Sequence, residues 1–391
     1  MTNEEKRRHV KLFGEPQSAD AYAIRDYLQR SVVAFDWIEI ESDADCRQHL
    51  GFPAVRDVRL PVLELPDGRR LFAPSLVEVA ASLGWVSQPR LREYDLSIYG
   101  AGRAGLSAAV YAASEGLHTV VIERNAVGGQ AGSSSLIENY LGFPEGISGA
   151  ELAERARQRA LKFGAEFLML REGVKAEFHD NRIHVDLADG GLKLVARANI
   201  CTTGVEWRKL GLPNEDQCVG RGLYYGGGAS EAPFCGQQHV VVVGGGNSAG
   251  QATMHLADHA KKVTIIVRNS ALTATLSRYL VDRILAKPNI EVRYECAVSK
   301  LEGDERLLRR VEVTENKTGK ADWSDTNKLF ICIGGVPNTE WAKGYSDHSR
   351  YSRISHHRPR SSRPRRATEM LDASANALLS RNECSWFVCS Q

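Results

Sequence analysis

Three things are scarce or missing from this chain. The 391 residues hold eight cysteines, Cys46, Cys201, Cys218, Cys235, Cys296, Cys332, Cys384 and Cys389, and no two form a C-x-x-C pair. Cysteines scattered over a long chain argue against a disulfide framework and for a reducing compartment. No apolar run approaches the roughly 20 residues of a membrane span, so no membrane partner is expected. The start, MTNEEKRRHV, lacks the apolar core of a signal peptide, so the expected location is the cytoplasm. Charge of one sign is also missing. The formal net charge of +2 is near balance and by itself argues neither for nor against a nucleic-acid partner; no such partner and no metal site are expected.

What is present is enough for several folded units. The length exceeds one ordinary domain, and 43% hydrophobic residues can build full cores. Residues 9–85 read as a first unit. HVKLFG is a strand, ADAYAIRDYLQR a helix with Tyr22, Ile24, Tyr27 and Leu28 broadly on one face, and VVAFDWIEI a second strand. LPVLEL, PDG and RRLFAP make two strands around a turn, and SLVEVAASLGW closes as a helix. The order β-α-β-α-β-β-α is similar to a glutaredoxin or thioredoxin domain, with Pro61 where that family places a cis proline. The family's redox pair belongs near Glu15–Tyr22. The residues there are EPQSADAY, so a packing or docking module without redox activity is expected.

After the polar linker QPRLREYD comes DLSIYGAGRAGLSAAVYAASEGLHTVVIER. This is a strand, a glycine turn, a helix and a second strand that ends in an acid. Gly100 permits the tight turn, Gly102 lets backbone N–H groups approach a pyrophosphate, and Gly105 lets the helix pack on the strand. The helix N-terminus favours phosphate charge. Glu123 can accept from ribose hydroxyls.

A second such unit reads HVVVVGGGNSAGQATMHLADHAKKVTIIVR, with Gly244 and Gly246 at the first two glycine places and Ala249 at the third. Its second strand runs out at Arg268 instead of an acid. An arginine there accommodates a 2′-phosphate, which favours NADP over NAD, and Arg278 is placed to help. Two dinucleotide units imply two nucleotides, FAD and a nicotinamide, with hydride passing between them.

The residues then line up with a family. GGQAGSSSLIENYLGFPEGISGAEL resembles the flavin-binding segment of thioredoxin reductases, with Gly129, Gln130 and Asn139 matching its flavin contacts. CTTGVEWRKLGLPNE resembles that family's return to the flavin domain, with Thr202, Thr203 and Gly204 in place. GGGNSA, including Asn247 and Ser248, and FICIGGVPNTEW also match, so the resemblance covers roughly residues 94–342. In that family, the stretch here reading YYGGGASEA carries the working C-x-x-C. The first thiol falls on Gly226 and the second on Ala229, so no catalytic residue is expected there. Cys235, six residues further on, reads as a small buried hydrophobe.

The expected fold class is therefore α/β. Two Rossmann-like dinucleotide-binding domains of the three-layer FAD–NAD(P) type follow a small thioredoxin/glutaredoxin-like α/β domain. The expected segments are 1–90 for the small domain, 93–211 for the first part of the FAD domain, 212–335 for the NAD(P) domain and 336–342 for the start of the returning FAD segment. By resemblance the protein is a homodimeric flavoprotein that takes hydride from NADPH onto FAD. The acceptor is open: ferredoxin, flavodoxin, a quinone, a small disulfide or oxygen. Alternatives are a ferredoxin/flavodoxin-type NADP reductase, a non-enzymatic remnant and a flavin-binding interaction module.

Residues 343–391 change character. Seven of the seventeen residues from Arg350 to Arg366 are arginine, and no helical or strand period is sustained. A disordered basic tail is the expectation. An adventitious nucleic-acid tail is a second reading, and a one-nucleotide frame shift near residues 343–350 is a third that would account for more. Read one base later, codons for RISHHRPRS permit GYLITGPDL, and codons for SRNECSWFVCS permit LETNVPGLFAA. Both strings resemble the missing family sequence, in the right order.

Overall fold

The computed structural model describes residues 9–85, 88–188, 192–304, 307–339 and 386–388. The chain divides into two compact units. The first comprises Met1–Val86, Asn125–Arg157 and Val205–Val336; the second comprises Ser87–Arg124, Gln158–Gly204 and Pro337–Gln391.

The first unit opens with β1 (Val10–Gly14), α1 (Ala19–Arg30), β2 (Phe35–Glu39), β3 (Val62–Glu64), β4 (Arg70–Phe72) and α2 (Leu76–Ser82). The strands form a sheet of order β2-β1-β3-β4, parallel between β1 and β2 and antiparallel elsewhere. The Leu60–Pro61 bond that leads into β3 is cis. Helix α1 starts where Ser18 caps it by accepting from the Ala21 N–H. It buries Ala21, Ile24, Tyr27 and Leu28, the apolar spacing of the sequence, together with Arg25, which the spacing did not mark. Helix α2 begins with a capping box between Ser75 and Glu78.

The second unit holds a seven-stranded sheet. Strands β5 (Tyr94–Tyr99), β6 (Thr119–Glu123), β7 (Glu166–Met169), β8 (Gly173–His179), β9 (Arg182–Leu187) and β10 (Lys193–Cys201) run in the order β7-β6-β5-β10-β9-β8. Helix α3 (Arg103–Ser114) connects β5 to β6, which pair in parallel. Strand β6 is buried throughout, which explains its unbroken apolar run TVVI. Tyr94 and Asp95, which the sequence assigned to the linker, already belong to β5 because Tyr94 is buried and its hydroxyl donates to Glu166 at 2.6 Å.

The first unit also contains the second strand-turn-helix pattern. A two-stranded pair joins β11 (Val205–Trp207) to a strand near its end, β20 (Gly335–Pro337). Between them β12 (Leu223–Tyr225), β13 (His239–Val243), β14 (Lys262–Ile266), β15 (Ile290–Arg293) and β19 (Leu329–Ile331) form a parallel sheet of order β12-β19-β13-β14-β15. Helices α4 (Asn247–Ala257) and α5 (Arg278–Ala286) cover one face of it, with Leu256, Leu280 and Ile284 packed against Val240, Val242 and Ile265. The other face packs on an antiparallel sheet of β16 (Cys296–Asp304), β17 (Leu307–Glu315) and β18 (Ala321–Asp325) through Val298, Leu301, Val311 and Val313.

The expectation of a wholly irregular tail fails at three residues. Trp386–Val388 form β21, which pairs in parallel with Asn199–Cys201 of β10. Strand β9 pairs only with Lys193–Ala196 of β10 and leaves the later residues of that side open, and Trp, Phe and Val favour strands. The rest of 343–391, and residues 340–342 of the returning segment, lie outside the described residues.

Candidate functional site

The turn after β5 belongs to the second unit. Gly100 has φ +105°, and a Cβ there would overlap the carbonyl oxygen of Thr202. A Cβ on Gly105 would overlap the carbonyl of Gly100 itself. Both glycines are thus required by close approach, the first to the strand end of β10 and the second between helix and turn. Thr202 Oγ1 donates to the carbonyls of Tyr99 and Gly100 at 3.0 and 2.8 Å, which ties the end of β10 to the turn. Gly102 caps α3 without any side chain, so the first amides of the helix are not satisfied by a capping group. Glu123 is 7% exposed, and its Oε2 accepts from the Ala101 N–H at 2.7 Å. The acid read as a ribose acceptor therefore also braces the turn. Thr203 Oγ1 donates to the Asn338 carbonyl at 2.7 Å, and Gly204, at φ +66°, accepts from the Asn338 N–H at 2.9 Å.

The turn after β13, in the first unit, repeats this construction. Gly244 has φ +148°, and a Cβ there would overlap the carbonyl oxygen of Cys332 at the end of β19. Strands β13 and β19 are neighbours, while β14 leaves β13 on its other side, so the turn lies where strand order reverses, the usual place for a nucleotide. Gly246 caps α4, again without a side-chain bond, and nothing stands within 4 Å of its missing Cβ. Ala249 is fully buried in the core at the third glycine place. The side chain of Asn247 is committed to Ser277, donating to Oγ at 2.9 Å and accepting from its N–H at 2.7 Å. Ser248 is exposed in the first turn of α4. Arg268 is exposed just beyond β14 and has no ion pair among the described residues, whereas Arg278 is 81% exposed and pairs with Asp282 at 2.9 Å.

Two glycine turns, with backbone occupying the Cβ positions of Gly100, Gly105 and Gly244 and each opening on an uncapped helix, fit two dinucleotides. Both are built from the residues that the sequence singled out.

A third segment of the first unit carries Gly129, Gln130 and Asn139. Gly128 and Gly129 have φ +101° and +56°, and a 3₁₀ turn follows over Gly129–Ser133. Gln130 donates from Nε2 to the Val205 carbonyl at 3.1 Å. Asn139 is exposed in the loop between the bridged residues Ile137 and Ile147.

The two positions that the resemblance matches to thiols hold Gly226 and Ala229. Gly226 has φ +92°, and a Cβ there would come within 3.0 Å of the Trp207 ring. Ala229 lines a small cleft with Ser133, Ser134, Ser230, Arg30 and Asp26. Cys235 is fully buried, and burial pushes its thiol up to about 12. Cys332 donates from Sγ to the Gly226 carbonyl at 3.3 Å and is likewise pushed up to about 12 by burial. Both are protonated structural residues.

Sequence reasoning missed a buried ionic cluster in the first unit. Arg25 of α1 donates from Nε and Nη2 to Glu231 Oε1 at 3.1 and 2.9 Å, and Lys328 Nζ lies 3.4 Å from Glu231 Oε2. Arg25 also lies 4.2 Å from the Trp37 ring centroid, and Tyr22 packs on Tyr224 at 4.9 Å. Burial raises the pKa of both tyrosines well above the ordinary value, with Asp26 adding to the rise for Tyr22 and Glu231 for Tyr224. The only advance signal was an arginine next to Ile24 on the apolar side of a helix.

Residues 94–353 match the family described as pyridine nucleotide-disulphide oxidoreductase. The chain is 36% identical to the thioredoxin reductase of Treponema pallidum (strain Nichols) over 247 residues, 63% of this chain and 78% of that protein. It is 35% identical to the thioredoxin reductase of Bacillus subtilis (strain 168) over 244 residues, 62% of this chain and 75% of that one. Among solved structures, Lactococcus lactis thioredoxin reductase in its FR conformation superposes with a TM-score of 0.60 at 28% identity, over 65% of this chain and 81% of that one. Thioredoxin reductase of T. acidophilum gives 0.59 at 30% identity, over 64% and 79%. With more than half of its length matched and both nucleotide cradles formed, the chain belongs to the pyridine nucleotide-disulphide oxidoreductase family and is an FAD- and NAD(P)H-dependent oxidoreductase of thioredoxin reductase-like type.

Proposed function

We propose that this oxidoreductase takes electrons from NADPH and passes them directly to an acceptor outside the chain, without a dithiol relay. The observation that carries this reading is the pair Gly226 and Ala229 at the positions of the family's two thiols. A thiolate must attack a disulfide to hand on an electron pair that way, and neither residue can form one. Bound FAD would supply the hydride-accepting and electron-releasing chemistry.

The chain's own residues bind and orient. In the second unit, the amides at Gly100–Gly105 and the α3 N-terminus would hold the FAD pyrophosphate, Glu123 the ribose hydroxyls, and Thr203 and Gly204 the return segment. Gly129, Gln130 and Asn139 carry the flavin contacts that the family resemblance implies. Gly244, Gly246, Ser248 and Ala249 would form the floor beneath NADPH, Asn247 would keep that turn in place through Ser277, and Arg268 would pair with the 2′-phosphate. Arg278 is the weaker partner because Asp282 already holds it. The N-terminal module, with the sheet order β2-β1-β3-β4, is read as thioredoxin-like in fold and without redox function. A homodimer is expected from the family.

The test is turnover of the purified protein with FAD, NADPH and a panel of acceptors: ferredoxin, flavodoxin, quinones and small disulfides under anaerobic conditions, and oxygen in a separate aerobic arm. Turnover with one of these and none with a thioredoxin supports the reading. NADPH-dependent reduction of a thioredoxin at rates comparable with a dithiol-containing relative overturns it.

A further inference from the structure

Helix α1 grips two different segments of the first unit. Arg25 is anchored on Glu231, as described. Arg30, about one and a half turns further along the same helix, reaches the glycine loop. Its Nη2 donates to the carbonyls of Ala126 and Gly129, both at 3.1 Å. Its Nη1 faces Asp26 Oδ2 at 3.5 Å, and the Arg30 side chain is only 12% exposed. A Cβ on Gly132 would come within 3.6 Å of Nε, so the guanidinium packs beside the loop.

The loop needs such a fixture. Gly128 and Gly129 adopt left-handed φ in succession, and glycines lose the most conformational freedom when ordered. A Cβ on Gly128 would come within 2.8 Å of Ala153, so the turn is also tightly packed from the other side. The two carbonyls bound by Arg30 bracket Val127 and Gly128, the residues immediately before Gly129 and Gln130.

We propose that Arg30 is a positioning residue for flavin binding, and that the N-terminal module serves as a clasp that fixes the loop Ala126–Gly129 in its flavin-ready shape. The inference rests on the proposed flavin contacts of Gly129 and Gln130. It gives a module without redox cysteines a definite task. Arg25 holds the helix on the nucleotide-binding part, and Arg30 uses that anchorage to order the loop. One guanidinium nitrogen serves both carbonyls while the other faces Asp26, a division of contacts that a single lysine ammonium does not reproduce.

The experiment is FAD titration of the full-length protein, monitored by flavin fluorescence, combined with amide hydrogen exchange over residues 126–134. It compares wild type with Arg30→Met. In wild type, FAD protects this segment. In Arg30→Met, the segment exchanges faster without FAD, and the FAD dissociation constant rises about tenfold, the loss expected for one charged hydrogen-bonding group. NADPH affinity, set at the Gly244 turn, stays as in wild type. Unchanged FAD affinity and unchanged exchange in Arg30→Met, with the wild-type segment protected by FAD, overturns the clasp and leaves the flavin contacts standing. Absence of FAD protection in the wild-type segment overturns the contacts and the clasp together. An equal loss of FAD and NADPH affinity assigns Arg30 a general structural role and also overturns it. If Arg30→Met does not fold, Arg30→Lys carries the same test with a smaller shift, about threefold.

Discussion

Arg25 gives two N–H groups to one carboxylate oxygen of Glu231, at 3.1 and 2.9 Å, and both side chains are buried, at 3% and 1% exposure. Removing Arg25 leaves Glu231 with Lys328 alone, at 3.4 Å, and removing Glu231 strands both cations. Arg25→Met is expected to destabilise the first unit by about 3–5 kcal/mol, and Glu231→Gln by at least as much. Urea unfolding followed by tryptophan emission measures it, because Trp37 stacks on Arg25. A loss below about 1 kcal/mol in Arg25→Met contradicts the assignment.

Gly105→Ala and Gly244→Ala separate the two cradles. The first forces a methyl group into the Gly100 carbonyl and the second into the Cys332 carbonyl. Gly105→Ala should lower FAD affinity and spare NADPH binding; Gly244→Ala should do the reverse. Titration of each nucleotide against each variant decides it, and a common loss of both nucleotides in one variant counts against separate sites.

Arg268→Ala should erase the preference for NADPH over NADH. A charge-assisted pair with the 2′-phosphate is worth about 1–3 kcal/mol, roughly tenfold or more in affinity. Rates of flavin reduction by the two nucleotides report the ratio. If wild type and variant share one ratio, Arg268 does not read the phosphate.

The buried thiols should be inert at neutral pH. Cys201, Cys235 and Cys332 are each pushed up to about 12 by burial. A raised folded-state value means that the folded protein keeps protons that the unfolded chain gives up. The stability from these thiols is complete below the ordinary thiol range near 9 and is lost as pH rises towards about 12. Mass spectrometry after alkylation at pH 8 should find these three peptides unmodified in the native protein and modified in urea. Native labelling of Cys235 would reopen it as a reactive group.

Correcting the reading frame should tighten FAD binding. Strand β21 already lies beside β10, with Trp386, Phe387 and Val388 where codons read one base later permit Gly, Leu and Phe. The DNA across codons 340–352 can be sequenced, and the chain expressed with and without a one-base correction. A chain that purifies fully loaded with FAD as it stands, or a shifted frame without family-like sequence, removes the frameshift account.

The local patterns in the chain settle much of this protein by themselves. Gly100, Gly105 and Gly244 declare their turns because only glycine tolerates such backbone approach, and period-2 and apolar runs mark the strands that lead into them. The absence of a C-x-x-C at Gly226–Ala229 is a fact of the sequence alone. What the tertiary structure decided depends on distance along the chain. Arg25 and Glu231 are 206 positions apart, and Arg30 and Gly129 are 99 apart, so no local period could join them. Glu123 reads as a ribose acceptor from its place at a strand end, yet only the folded turn brings it to the Ala101 amide. Trp386–Val388 look like part of an irregular tail until the open side of β10 pairs with them. In each case the sequence supplied the chemical group, and the partner that gives it a task arrived only through packing.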